Sequence, residues 1–157
     1  LPQKAVGDET VGDRQKDDTD SGKYRSQTEF GFTLPDTNVL LVDDNSINRM
    51  VAKALLEPLK MNIDVAENGY EALQMVQSKK YQLVFMDHYM PVMDGLEATK
   101  RIRELPDEYY KNLPILALTA DAVAGEKEKF LNAGMNDVVS KPIQIKEICE
   151  KIKHYVK

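Results

Sequence analysis

Four short apolar runs in this chain each stop at or just before a residue suited to phosphoryl chemistry. Residues 39–42 run into Asp43-Asp44, residues 83–86 into Asp87, residues 115–118 into Thr119, and Val138-Val139 stops just short of Lys141. Buried strands of an open parallel sheet deliver whatever follows them to one crevice, because ligands bind outside the carboxyl ends of the strands. Three carboxylates, a hydroxyl and an ammonium are therefore expected to meet. Carboxylates about 4 Å apart repel by roughly 4 kcal/mol at an effective dielectric near 20, so such a cluster wants a cation. A hard divalent ion with oxygen ligands, Mg²⁺, suits it, and a carboxylate held beside Mg²⁺ can attack phosphorus to form an acyl phosphate. Asp87 is the candidate nucleophile. Lys141 would pair with it or with the phosphoryl oxygens as a point charge, Thr119 offers a hydroxyl to a phosphoryl oxygen, and Ala120 leaves room for a backbone N–H to approach. The plainer reading of the acidic pair is capping, with Asp44 or Asn45 opening the helix that begins near Ser46.

Those residues need elements to carry them. From Asn38 onward, strand and helix patterns alternate five times: strands at 38–42, 62–66, 82–86, 114–118 and 136–139, helices near 46–59, 69–79, 94–104, 121–133 and 143–156. Asn68-Gly69, Asp94-Gly95, Ala133-Gly134 and several prolines punctuate the loops. Repeated βα units with short loops predict an α/β fold, a doubly wound parallel sheet with right-handed crossovers and helices on both faces. The second strand carries Asp64 inside it and suits an edge, which favours the flavodoxin-like (βα)5 order 2-1-3-4-5, with a switch point between the first and third strands.

Composition bounds the rest. A chain of 157 residues with 42% hydrophobic content makes one buried core and a tail. Residues 1–36 hold five Lys/Arg against eight Asp/Glu, hence −3 of the total −5, and show no sustained apolar period, so they read as an acidic disordered linker or the remnant of a preceding domain, ahead of a folded domain over 37–157. Within them Phe30, Phe32 and Leu34 alternate as a short strand closed by Pro35. Clustered excess Lys and Arg are missing, which argues against nucleic acid as a partner. The single Cys149 excludes an internal disulfide framework and fits a reducing, cytoplasmic compartment. No apolar run approaches the ~18 residues of a membrane span, so direct membrane contact by this segment is not expected. Leu1 in place of Met suggests a fragment of a longer protein.

The whole of residues 38–156 resembles a response-regulator receiver domain. The residues that carry the resemblance are Val42-Asp43-Asp44-Asn45, Met86-Asp87 with Met90-Pro91-Val92-Met93-Asp94-Gly95, Leu118-Thr119-Ala120, and Gly134-Met135-Asn136-Asp137 followed by Ser140-Lys141-Pro142. The resemblance implies that Asp87 is the phosphoacceptor, taking phosphate from a phosphohistidine. It implies Mg²⁺ on the side chains of Asp44 and Asp87 and the backbone carbonyl of Tyr89, with Asp43 acting through water, Lys141 on the phosphoryl group, and a cis Lys141–Pro142 peptide. Tyr89 and Asp121, each two residues beyond a site residue, would tune the access of water to the acyl phosphate. Val138 departs from the family's pattern, since many receivers carry Tyr or Phe three residues before the lysine and couple its ring to the threonine hydroxyl. The resemblance is to receivers of bacterial hybrid sensor histidine kinases in particular. It implies a kinase dimerisation/phosphotransfer domain or a histidine-containing phosphotransfer protein as partner, chosen through surface residues such as Ser46, Ile47, Arg49, Met50 and Ile143; a homodimer stays open.

Three other readings remain beside this one. A stand-alone single-domain response regulator has the same motifs without the long acidic leader. A Mg²⁺-dependent phosphohydrolase of the haloacid-dehalogenase kind needs a second Asp two residues after its nucleophile, where Tyr89 stands. A degenerate docking receiver is supported by Val138 alone. His88 neighbours Asp87, but strand alternation turns it to the opposite side. Tyr109-Tyr110, in the stretch 105–114, read as cover for the preceding helix rather than as a partner-binding loop. No Walker-type or kinase ATP signature is present, so the phosphoryl donor lies elsewhere.

Overall fold

Aliphatic and β-branched runs form five strands in the computed structural model, which describes residues 31–120 and 124–156. They are β1 (Asn38–Val42), β2 (Asn62–Ala66), β3 (Leu83–Asp87), β4 (Ile115–Thr119) and β5 (Asp137–Ser140). All pair in parallel, in the order β2-β1-β3-β4-β5. Helices α1 (Ser46–Leu56), α2 (Gly69–Ser78), α3 (Gly95–Arg103), α4 (Glu108–Asn112), α5 (Ala124–Asn132) and α6 (Ile145–Tyr155) connect or follow them. The flavodoxin-like architecture expected from the pattern is the one observed.

Burial explains the strand order. Every residue of β3 and β4 is buried, as two-sided coverage by helices requires, whereas β2 at the edge keeps its middle residues partly exposed. On one face Leu40, Val42, Val84, Met86, Ile115, Ala117 and Val138 pack with Ala72 and Val76 of α2, Ala98 and Ile102 of α3, and Phe130 of α5. Alternation sends Val39, Leu41, Phe85, Leu116, Leu118 and Val139 to the other face, all buried.

Local chemistry sets the helix ends. Asn45, Asn68, Asp94 and Asp107 cap α1 to α4, each side chain accepting from a backbone N–H of the first turn. The α-helix expected over 46–59 stops at Leu56 and a 3₁₀ turn covers Glu57–Leu59, because Pro58 has no N–H to donate back along the helix. Three strands sit one residue later than the apolar runs suggest, so Asp87 and Thr119 belong to the ladder: Asp87 pairs with Leu118 and Thr119 with Ser140.

Two further differences have physical causes. Within 105–114 the short α4 forms, and the Tyr109 hydroxyl donates to the Tyr81 carbonyl at 2.9 Å and accepts from its N–H at 2.6 Å, so this tyrosine does cover the core. Residues 32–34 do not form the expected strand; Pro35 offers no donor, and the Leu34 N–H makes its bond to the Leu59 carbonyl at 2.7 Å. The chain divides into two units: Pro35–Glu57 with Met61–Lys157 make the α/β domain, and the described residues of the other are 31–34 and Pro58–Lys60. Residues 1–30 and Asp121 lie outside the described residues.

Candidate functional site

The carboxyl ends of β1, β3, β4 and β5 open into one cleft, of about 320 Å³, lined by Asp44, Asn45, Asn48, Asp87, His88, Tyr89, Leu118, Thr119, Ala120 and Lys141. Each polar group arrives on its own element. Asp43 and Asp44 follow β1, Asp87 ends β3, Thr119 ends β4, and Lys141 follows β5, where its N–H donates to the Thr119 carbonyl at 2.8 Å. Lys141–Pro142 is a cis peptide, as the family resemblance implied.

Carboxylate oxygens of Asp43, Asp44 and Asp87 lie within 4.8 Å of one another. Asp43 and Asp87 are buried and Asp44 is exposed. The Lys141 ammonium stands 3.0 Å from Asp87 Oδ1 and 3.5 Å from Asp43 Oδ2, so it spans two of the three acids. Burial pushes the Asp87 carboxyl above its ordinary range and Asp43 adds to this, while Lys141 and the His88 N–H, 2.9 Å away, pull the other way without cancelling it. Burial alone would lower Lys141, but its two acidic partners outweigh that and hold the ammonium charged. One lysine against three acids leaves the cluster short of positive charge, and the donors are all oxygen. That set fits Mg²⁺, which takes one or two carboxylates and keeps open positions for water and phosphoryl oxygens.

Close approach of the β3–α3 loop shapes the rim. The Gly95 N–H donates to the His88 carbonyl at 2.9 Å, and a Cβ on Gly95 would strike the Asp87 carbonyl oxygen. Met93 N–H turns back to the Pro91 carbonyl at 2.7 Å around Val92, a β-branched residue at φ 71°. Tyr89 is exposed at the rim. His88 is buried with its ring edge against Phe130 at 5.1 Å, and burial pushes its imidazole below the ordinary value. Its ring packs against Phe130 and, at 3.8 Å, Tyr89, while the residue also lines the cleft. Val138 is buried among core side chains and brings no ring to the cleft.

The resemblance counts Arg49 among the partner-choosing surface residues, but its guanidinium sits against the Asp43 carbonyl. Its side chain is 15% exposed, whereas Ile47 and Met50 are exposed residues, and its Nη1 donates to the Asp43 carbonyl at 2.7 Å. Nothing in the local pattern signals this, since helical spacing from the Asn45 cap does not say where a long side chain bends.

Residues 39–153 match the family described as the response regulator receiver domain, and the chain belongs to that family. Among its relatives, the sensor histidine kinase GacS of Pseudomonas protegens is 39% identical over 131 residues, covering 83% of this chain and 14% of that kinase. The receiver domain of the sensor histidine kinase PA1611 from Pseudomonas aeruginosa PAO1, solved with a magnesium ion coordinated in its active site cleft, is similar at TM-score 0.69 and 35% identity over 76% of this chain and 96% of that one. A chain of the Saccharomyces cerevisiae co-crystal structure of the phosphotransfer protein Ypd1 and the receiver domain of Ssk1 matches at TM-score 0.70 and 32% identity, over 78% and 90% of the two chains. The chain spans 15%, 14% and 11% of the length of three kinases it matches. Its likeness is to the receiver domains of hybrid sensor histidine kinases.

Proposed function

We propose that this domain accepts a phosphoryl group on Asp87 from a phosphohistidine of a partner. A carboxylate oxygen of Asp87 forms the bond to phosphorus as the phosphorus–nitrogen bond breaks; the electron pair stays on the imidazole nitrogen, which takes a proton from water. Asp44 and Asp87 side chains and the Tyr89 carbonyl would hold Mg²⁺, with Asp43 acting through water, and the ion when bound offsets the charge on the phosphoryl oxygens. Lys141 stays charged beside Asp87 and pairs with a phosphoryl oxygen. The Thr119 hydroxyl and the Ala120 N–H bind the others, and Tyr89 at the rim limits the approach of water. The observation that carries this reading is the Lys141 ammonium 3.0 Å from Asp87 within a three-carboxylate cluster at the strand ends.

The parent protein is proposed to be a hybrid sensor histidine kinase, supported by the relatives. Its dimerisation/phosphotransfer domain or a histidine-containing phosphotransfer protein is the proposed partner, the Ypd1 co-crystal with a similar receiver being the support. Residues 37–157 are the proposed receiver, and 1–36 the proposed acidic linker or remnant of a preceding domain. Among the described residues no helix is long and apolar enough to cross a membrane. The proposed location is the cytoplasm, beside the kinase core that supplies the phosphoryl group.

Intact-mass measurement with Mg²⁺ and a small acyl-phosphate donor tests the chemistry. The wild-type chain is expected to gain one phosphoryl group that hydroxylamine removes, and Asp87→Asn or a chelator to abolish the gain. A chain that binds Mg²⁺ yet gains nothing points to a docking role instead.

A further inference from the structure

We propose that Arg49 is a positioning residue for the acidic pair: its guanidinium, seated on the Asp43 carbonyl oxygen, holds Asp43-Asp44 where the pair takes Mg²⁺. The inference rests on the reading of the cleft as a Mg²⁺-dependent phosphoacceptor site.

At the end of β1 the ladder runs out. The Asp43 N–H still donates to the Ala66 carbonyl at 3.1 Å, but the Asp43 carbonyl takes its donor from a side chain, Arg49 Nη1 at 2.7 Å. The Arg49 backbone N–H donates to the Asn45 carbonyl at 3.1 Å, and the Asn45 N–H donates to Asp43 Oδ1 at 2.9 Å. The backbone bond is the i→i−4 bond that any residue makes at this position of the helix; what Arg49 adds is its guanidinium on the Asp43 carbonyl, just before the exposed Asp44. The guanidinium also faces the loop after β2, with Nη2 3.7 Å from Glu67 Oε2.

Two effects of opposite sign compete. As a cation near the cluster Arg49 would repel Mg²⁺; as a donor it spares the ion the cost of ordering the turn. Its charge is shared between a carbonyl and the Glu67 carboxylate, and the hydrogen bond acts on the chain between the two acids. Positioning wins. Groups that orient metal ligands from behind are typically worth about 10–100-fold in metal affinity.

Calorimetric titration of the full chain with Mg²⁺ decides the point, with melting temperatures and phosphoryl uptake against Mg²⁺ concentration alongside. Arg49→Gln and Arg49→Met, the second keeping the apolar stem, are each expected to raise the Mg²⁺ dissociation constant about tenfold. Uptake in both should return to the wild-type rate at saturating Mg²⁺, and Arg49→Lys, with one donor able to reach the carbonyl, should recover part of the affinity. Variants that melt lower but bind Mg²⁺ as wild type does, or bind it more tightly, overturn the positioning role. A wild-type chain that binds no Mg²⁺ overturns the reading of the cleft itself, so the two failures are separable.

Discussion

Asp87 combines two demands that conflict at the level of a single residue. It must be buried enough to be held still, yet burial beside Asp43 makes its charge costly, and Lys141 at 3.0 Å offsets only part of this. In the proposed phosphoacceptor role the same balance would govern the product, because a phosphoryl group adds charge to a crowded site and its lifetime would depend on who reaches it. Tyr89 is 74% exposed at the rim and its ring lies 3.8 Å from that of His88. On the proposed reading, a ring at the rim restricts water. Tyr89→Asn is accordingly expected to speed loss of the phosphoryl group several-fold, followed by intact mass after removal of the donor; an unchanged rate removes the shielding role. Exposure makes this substitution safe for the fold, since surface changes are usually within about 0.5 kcal/mol.

Asp137 works at the scale of elements. It opens β5, and its carboxylate binds Lys151 at 2.8 Å and the Tyr155 hydroxyl at 3.1 Å on α6, with Lys127 of α5 at 3.5 Å. Burial raises its pKa, but the bonds from Lys151, the Val138 N–H and Tyr155 outweigh that and hold the group below the ordinary 3.8. A carboxyl with a depressed folded-state pKa stabilises the fold above its unfolded value and loses that contribution as pH falls through the folded one. Asp137→Asn is therefore expected to cost about 1–2 kcal/mol in urea unfolding at neutral pH. The gap to wild type should close as the pH drops below about 4. A gap that persists in acid would assign the loss to packing instead of charge. Tyr109 plays a similar joining part, tying α4 to the start of β3 through the backbone N–H and carbonyl of Tyr81.

For the whole molecule, the strand order creates the cleft. After β1 the chain winds out to β2 and then crosses back to β3, so the connections leave β1 and β3 in opposite directions and a crevice opens between them. Three acids collected there destabilise the apo state by mutual repulsion, and a cation that binds only the folded chain stabilises it by RT ln(1 + [L]/Kd). At a hundredfold excess over Kd, Mg²⁺ is expected to add about 2.7 kcal/mol, raising the melting temperature by roughly 8 °C. A chelator should reverse the shift, and Asp87→Asn should shrink it. A melting temperature indifferent to Mg²⁺ would speak against a metal centre at the strand ends.

Much of this was legible along the chain because it is local. Apolar runs, Asx caps and glycine turns act within a few residues, so strands, helices and the order 2-1-3-4-5 could be read from pattern, and the Asp, Thr and Lys at the run ends marked the cleft. The last residue of a strand was not legible: Asp87 and Thr119 are polar and look like loop, yet the neighbouring strand supplies ladder partners that keep them in the sheet. Nor was α4, whose five residues are held by a tyrosine reaching Tyr81, 28 positions away. Arg49 turned inward for the same reason, since the carbonyl at the end of β1 had lost its sheet partner. Hydropathy period and capping chemistry are properties of neighbours in sequence; the pairing of Lys141 with Asp43 across 98 positions depends on atoms that meet when the sheet closes, and folding in three dimensions settles it.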